Sequence, residues 1–285
     1  MHIRPGDPLR SYAVPLTPRP YRMVVGTRPT SKWLLPGVDG PPQLAAKVEV
    51  LRKHAGAAVA VLPGAEHGVE LLADLVDSTV PAGSDDGSGH RMAGSAPEQA
   101  LASVALRVQE DLCLLQRRSG QWRLWAACVC FPSHWRLTEK IGAGLDAIHG
   151  PVPGYRQRLA TASTKVLDRL AGTTEIVERF NWVLVDTPRL YTPRAERFGD
   201  AEPRSDVDGL WLRTERQTLR ALPGDLGLVF TIRTFVTPLT DLTRPERGAL
   251  AKSMHGISDE LHKYRSSLRY RNVVMSWLAA SERTV

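Results

Sequence analysis

The chain lacks most of the features that sort a protein of 285 residues quickly. No window approaches about eighteen consecutive apolar residues, which excludes a membrane-spanning helix. Its start, MHIRPGDPLRSYAVPLTPRPYRM, has no apolar run behind a basic patch and does not read as a secretory signal. Only three cysteines occur, Cys113, Cys128 and Cys130, and they offer no disulfide framework. Cys128 and Cys130 lie two apart in the apolar run WRLWAACVCF, where an extended strand would put both on one face as buried structural residues. A reducing, cytoplasmic setting fits best. H-E-x-x-H, paired C-x-x-C, a Walker lysine loop, a Rossmann glycine series and G-x-S-x-G are all missing. Their absence argues against zincins, zinc ribbons, P-loop enzymes, Rossmann dehydrogenases and α/β-hydrolases.

What is present is an ordinary soluble composition, 42% apolar and 24% charged. Thirty-seven Lys and Arg against thirty Asp and Glu leave +7, with arginine dominating. That surplus could serve an anionic cofactor, acidic lipid, an acidic protein partner, or solubility alone. Nucleic acid is not expected: the arginines are scattered and no RRM, KH or zinc-finger pattern accompanies them.

Residues 1–45 are proline-rich and aperiodic, a loop-rich arm with one anchored segment, SKWLLPGVD. PPQLAAKVEVLRKHAG reads as a helix, with Leu44, Val48 and Leu51 at helical spacing and Gly56 as a stop. VELLADLVDSTV reads as a second helix, and 81–95, PAGSDDGSGHRMAGS, as a flexible surface loop. SVALRVQEDLCLLQRR and QWRLWAACVCF are β-rich, joined by SG or SGQ as a hairpin. In the second run Trp122, Leu124, Ala126, Cys128 and Cys130 should face one way. Arg123, Trp125, Ala127, Val129 and Phe131 should face the other, so the strand is covered on both sides.

Further along, Ser133 should cap a helix over HWRLTEKIG, and LDAIH forms a short turn that stops at GPVPG. YRQRLATASTKVLDRLAG reads as helix and NWVLVD as strand. LWLR is extended; Thr214 and Gln217 form an S/T-x-x-E/Q capping box that starts a helix over TERQTLRALP, ended by Pro223. GLVFTIRTFV is the cleanest strand, with Leu228, Phe230, Ile232, Thr234 and Val236 opposite to Val229, Thr231, Arg233 and Phe235. RPERGALAKSMHGISDELHKYR closes the chain as helix. The order predicts an α+β protein, not a repeated βαβ pattern, with 46–270 as one domain and 271–285 as a tail.

Two places concentrate chemistry-bearing side chains. His149 falls where a short helix stops before Gly150 and Pro151. A break there can project an imidazole toward a cavity while its other nitrogen meets a carbonyl; a cap or a surface histidine is the plainer reading from the residues alone. His134 sits beside the Ser133 cap. In Trp211-Leu212-Arg213-Thr214-Glu215-Arg216, a helix N-terminus would keep Glu215 ionised and able to meet a cation. Arg213 and Arg216 could hold carboxylates in fork-like pairs, and a surface salt-bridge cluster is the plainer alternative.

Three blocks resemble the haem-dependent oxidative N-demethylase family: CFPSHWRLTEKIGAGLDAIHGPVPGY at 130–155, RFNWVLVDT at 179–187, and LWLRTERQTLRALPGDLGLVFTIRTFVTPL at 210–239. With the KWLL segment and the closing helix, the likeness runs over roughly residues 15–270. It implies a PAS-like antiparallel sheet with added N-terminal, inserted and C-terminal helices, adapted to hold haem b. It implies oxidation of a small secondary amine by O2 with external electrons, releasing formaldehyde. Flavin and iron–sulfur cofactors would sit on separate reductase partners, since neither fingerprint occurs in this chain. On this resemblance His149 is the expected iron ligand and His134 the fallback. Arg136, Arg213 and Arg216, with Lys140 behind them, are expected at the propionates. Glu215 would bind or deprotonate the amine, and Phe230, Phe235 and Trp211 would line an apolar haem face or serve as core. The extra helical layer could support a homodimer. Two other readings stand beside this one: a haem-based PAS sensor, and a haem-free small-molecule-binding protein.

Overall fold

The computed structural model describes residues 3–15, 26–37, 39–80, 94–193, 204–264 and 268–283. Its strands are β1 (Gly26–Arg28), β2 (Val59–Val61), β3 (Asp111–Arg118), β4 (Gln121–Cys128), β5 (Ile176–Val185), β6 (Trp211–Ala221) and β7 (Leu228–Pro238). They form one seven-stranded sheet in the order β1-β5-β6-β7-β3-β4-β2, every neighbouring pair antiparallel. The helices are α1 (Arg10–Ala13), α2 (Gly40–Ala58), α3 (Glu66–Asp77), α4 (Ala96–Ala105), α5 (Leu145–Ile148), α6 (Tyr155–Arg158), α7 (Ala160–Leu170), α8 (Arg244–His255), α9 (Asp259–Tyr264) and α10 (Leu268–Arg283). The protein is α+β, and no described helix is long and apolar enough to cross a membrane.

The β3–β4 hairpin turns through Ser119 and Gly120 with φ of 50° and 74°, the two positive values that match a tight turn to strand twist. In β7 the expected alternation holds. Leu228 and Phe230 pack on the front face with Cys113 and Leu115, while Val229 joins Leu112 and Leu114 on the back. In β4 it does not hold along the whole run. The pairing skips a residue between Leu114–Ala126 and Leu115–Leu124, a bulge at Trp125. Trp122 and Leu124 therefore pack on the front, whereas Ala126, Cys128 and Cys130 pack on the back.

Three other local expectations are corrected. TERQTLRALP is the long strand β6, not a helix, because β5 and β7 flank it and satisfy its backbone over eleven residues. The first part of SVALRVQEDLCLLQRR is the end of α4. That helix starts with a capping box in which Ser95 and Glu98 satisfy each other's end of the turn, the Ser95 N–H donating to Glu98 at 2.7 Å. HWRLTEKIG holds only a short 3₁₀ turn at Leu137–Glu139; Ser133 instead bridges to Thr192 and His134 takes φ of 58°. The loop expected at 81–95 lies almost wholly outside the described residues. Most of the expected tail belongs to α10, whose Tyr270, Val274 and Leu278 are buried.

Helices α2, α3 and α4 cover the back of the sheet through Val50, Leu51, Val69, Leu72 and Leu101. The anchored segment reaches the same core, with Trp33 fully buried and its carbonyl accepting from Arg216 Nη1 at 2.8 Å. Helices α8 and α10 close one end with Leu250, Met254 and Val274. The front face is covered by the segment between β4 and β5, which carries α5, α6 and α7. That cover is incomplete, and the gap is a cavity.

Candidate functional site

The cavity, of about 310 Å³, lies between the front face and the α5–α7 layer. Its apolar surface comes from Leu115 and Leu124 on β3 and β4, Phe230 and Ile232 on β7, and Leu145, Ile148 and Val152 opposite them. A volume of this kind, mostly apolar with a few convergent polar groups, is the usual form of a small-molecule site.

His149 stands on the helical wall at the C-terminal end of α5. Its Nδ1 lies 3.0 Å from the Leu145 carbonyl oxygen, which can only accept, so Nδ1 carries the proton and the ring's lone pair is on Nε2. Burial, with smaller contributions from the nearby Arg179 and Lys140 charges, pushes the imidazole pKa down to about 4. The ring is thus neutral at ordinary pH, the form that binds a metal ion. It lies against the Tyr155 ring, centroids 4.6 Å apart and planes 15° apart.

The sheet wall carries a block of four polar residues. Register sets Arg179 opposite Gln217 and Asn181 opposite Glu215 on β5 and β6, all pointing forward into the cavity. Arg179 Nε donates to Gln217 Oε1 at 2.6 Å, and Gln217 Nε2 donates to Glu215 Oε2 at 2.8 Å. Asn181 Nδ2 reaches the same Oε2 at 3.5 Å. Both amide contacts fall on Oε2 of Glu215 and hold that oxygen in place.

The remaining candidates scatter. Phe230 and His134 line the cavity, as does Lys140, whose Nζ donates to the Ile148 carbonyl at 2.7 Å. Arg213 faces forward but is buried beneath the wall, donating to the Phe131 carbonyl at 2.7 Å and the Leu190 carbonyl at 3.0 Å. Arg216 points to the back face and meets Glu178 at 2.5 Å. Arg136 is exposed, paired at 3.5 Å with Glu139, and does not line the cavity. Phe235 packs in the α8–α10 core, and Trp211 lies outside the lining. The expected arginine trio is therefore not a carboxylate-binding cluster of this cavity: two of its members hold the fold together, and the third sits in solvent.

Arg179, Asn181, Gln217 and Tyr155 were not singled out by the sequence reading. Once β6 is known to be a strand, alternation from Glu215 alone assigns Gln217 and Leu219 to its face. The pairing with β5 then brings in Arg179 and Asn181. Tyr155 had a signal too, standing beyond GPVPG from His149.

Beneath the site, Asp111 accepts from the backbone N–H groups of Cys130 and Phe131, both at 2.9 Å, and so pins the strand end that leads to Ser133 and His134. Burial raises its pKa to about 6 against the opposing effect of Lys47. The cysteine thiols are buried and unbridged, Cys128 and Cys130 sulfurs 3.9 Å apart. Among the described residues no group of three or more His, Cys, Asp or Glu side chains is placed to hold a metal ion by itself. The family described as haem-dependent oxidative N-demethylase, alpha subunit-like, matches residues 84–275.

Proposed function

The chain belongs to the haem-dependent oxidative N-demethylase, alpha subunit-like family, and from that membership we propose that its cavity takes haem b and removes a methyl group from a small secondary amine. The carrying observation is the neutral, oriented imidazole of His149 on one wall with the Glu215 carboxylate on the sheet wall of the same cavity. The residues fit the cofactor. The iron of a bound haem would need one ligand from the protein, which accords with one such imidazole. Apolar side chains suit the porphyrin faces, and the Lys140 and Arg179 cations suit its carboxylates. The order β5-β6-β7-β3-β4, with helices inserted between β4 and β5, supports a PAS-like reading of the sheet.

When bound, haem supplies the oxygen chemistry. Overall, R–NH–CH3, O2, two electrons and two protons give R–NH2, formaldehyde and water. This chain's residues do the rest. His149 would hold the cofactor through Nε2, with the Leu145 carbonyl keeping the proton on Nδ1. Glu215 receives the ammonium form of the substrate and takes its proton, which exposes the nitrogen lone pair that oxidation requires. Gln217 and Asn181 stop the carboxylate from turning away. Leu115, Leu124, Phe230 and Ile232 keep water from the amine. Electrons come from separate flavin and iron–sulfur reductase components. The three buried cysteines are one short of a four-thiolate cluster and suit a reducing compartment.

The test is an absorption spectrum of haem-supplemented protein, for the parent and for His149→Ala and His134→Ala, followed by formaldehyde release from a secondary amine with O2 and a reductase. The proposal expects a Soret band that changes with His149→Ala, and reductant-dependent formaldehyde. Stoichiometric haem that binds CO without turnover would replace it with the sensor reading, and no haem uptake would leave a haem-free binding protein.

A further inference from the structure

His149 and Tyr155 are joined by a turn that brings two rings face to face. Val152 N–H donates to the His149 carbonyl at 2.8 Å, and Tyr155 N–H to the Val152 carbonyl at 3.1 Å. Gly154 closes the turn at φ of 70°, a conformation that residues with a Cβ adopt at a cost. The chain then re-enters helix at Tyr155, whose ring lands on the imidazole at 4.6 Å. Tyr155 is itself almost wholly buried, 3% exposed, so it cannot yield easily. Ser163 of α7 stands beside its hydroxyl, which has no hydrogen bond of good geometry among the described residues. The imidazole is thus gripped at two points, in its plane by the Leu145 carbonyl and on its face by Tyr155.

We propose that Tyr155 is the positioning residue for His149, fixing the rotation of the imidazole plane and the tautomer it presents to the cavity. The proposal rests on the reading that His149 is the iron ligand. A hydrogen bond to a single carbonyl leaves the ring able to rotate about the Nδ1···O direction, and a flat, buried ring against its face removes that freedom. The hydroxyl plays no part in this, so the phenyl group should suffice. A carbonyl acceptor, unlike a carboxylate, also leaves the ligand as neutral imidazole with little imidazolate character.

Tyr155→Phe and Tyr155→Leu separate ring from hydroxyl. With haem bound, Tyr155→Phe should keep the parent's ferric EPR anisotropy and ferrous iron–histidine stretch. Tyr155→Leu should shift both and weaken haem binding about tenfold, the size of effect seen when an outer partner of a metal ligand is removed. In haem-free protein, NMR of the His149 ring should show one Nδ1–H tautomer in the parent and Tyr155→Phe. In Tyr155→Leu it should show a mixture of tautomers. Unchanged EPR, stretch and tautomer in Tyr155→Leu would overturn the assignment of Tyr155 alone, provided that His149→Ala alters the iron spectrum. If His149→Ala leaves that spectrum unaltered, the ligand reading falls and this role falls with it. Circular dichroism of each variant establishes that the fold is intact.

Discussion

Arg216 on β6 and Arg233 on β7 stand directly opposite each other on the back of the sheet, both fully buried, and each meets its own carboxylate. Arg216 donates to Glu178 at 2.5 Å and Arg233 to Asp39 at 2.6 Å. Glu178 also receives Arg28 from β1 at 2.6 Å, and Arg233 bonds Gln43 of α2. Two like charges on facing strands would repel strongly in a dry interior. Here Glu178 on β5 and Asp39 at the start of α2 supply the opposite charges, so the Asp39 pair helps to place α2 and Glu178 also draws in Arg28 of β1. This layer lies behind the cavity wall, since Glu215 and Arg216 are neighbours that point to opposite faces.

Glu178→Gln would leave two arginines sharing a neutral partner in a buried place. The expected loss is on the order of 3 kcal/mol of stability, read from urea denaturation, with haem affinity little changed. Adding Arg216→Met should recover part of the loss, because the uncompensated buried cation is then gone. A Glu178→Gln protein as stable as its parent would show that the pair contributes nothing.

The β6 segment also explains which parts of the protein its sequence could reveal. Where apolar residues alternate along a strand the pattern is legible, as in β7. In β6 both faces are polar at the centre: Glu215 and Gln217 serve the cavity, Arg216 and Thr218 the buried polar layer. Hydrophobic periodicity is therefore silent where the site is built, and the chance spacing of Thr214 and Gln217 imitates a helix start. The family resemblance pointed to His149 and Glu215, and the fold brings both to one cavity. The resemblance could not separate cavity arginines from structural ones, because Arg213 and Arg216 differ from Arg179 only in where the pleat and the pairing direct them. The bulge at Trp125 was likewise invisible, since apolar residues occupy both faces of that run.

Removing the two proposed roles of arginine should give opposite results. Arg136→Ala, at an exposed position outside the cavity lining, should leave haem affinity within about twofold of the parent. Arg179→Gln removes a cation from the wall and should weaken haem or its amine substrate by about tenfold, the weight of one charge-assisted hydrogen bond. Soret titration and substrate-induced spectral shifts measure the two separately. The reverse ranking would return the anionic edge of the cofactor to the position of Arg136.

Glu215→Gln keeps the shape of the wall and removes the charge. With haem occupancy matched to the parent, kcat/KM for a secondary amine should fall about tenfold to a hundredfold, from loss of the ion pair. The pH dependence separates binding from proton transfer. If Glu215 takes the substrate proton, raising the pH toward the amine pKa should recover activity in Glu215→Gln, because the neutral amine then arrives already deprotonated. Equal kinetics in the two proteins would remove Glu215 from the reaction.

His149 should make the haem-free protein acid-sensitive in a defined window. Its imidazole has a pKa of about 4 in the fold, held down mainly by burial, against about 6.5 in an unfolded chain. Between those values the unfolded chain binds more protons than the folded one, so stability rises with pH. The contribution is fully present above about pH 6.5, is lost as the pH falls toward 4, and changes no further below that, totalling at most about 3 kcal/mol. Asp111 works in the opposite direction over part of this range. Its pKa is raised to about 6, so the folded chain binds the extra proton and acid stabilises it. The two effects overlap, and the parent's pH profile alone would understate both. The measurement is therefore a comparison of denaturation midpoints for the parent and His149→Gln from pH 4 to 7. The difference between the two proteins should grow with pH through this window, whereas a constant difference would mean that His149 titrates as an ordinary surface imidazole.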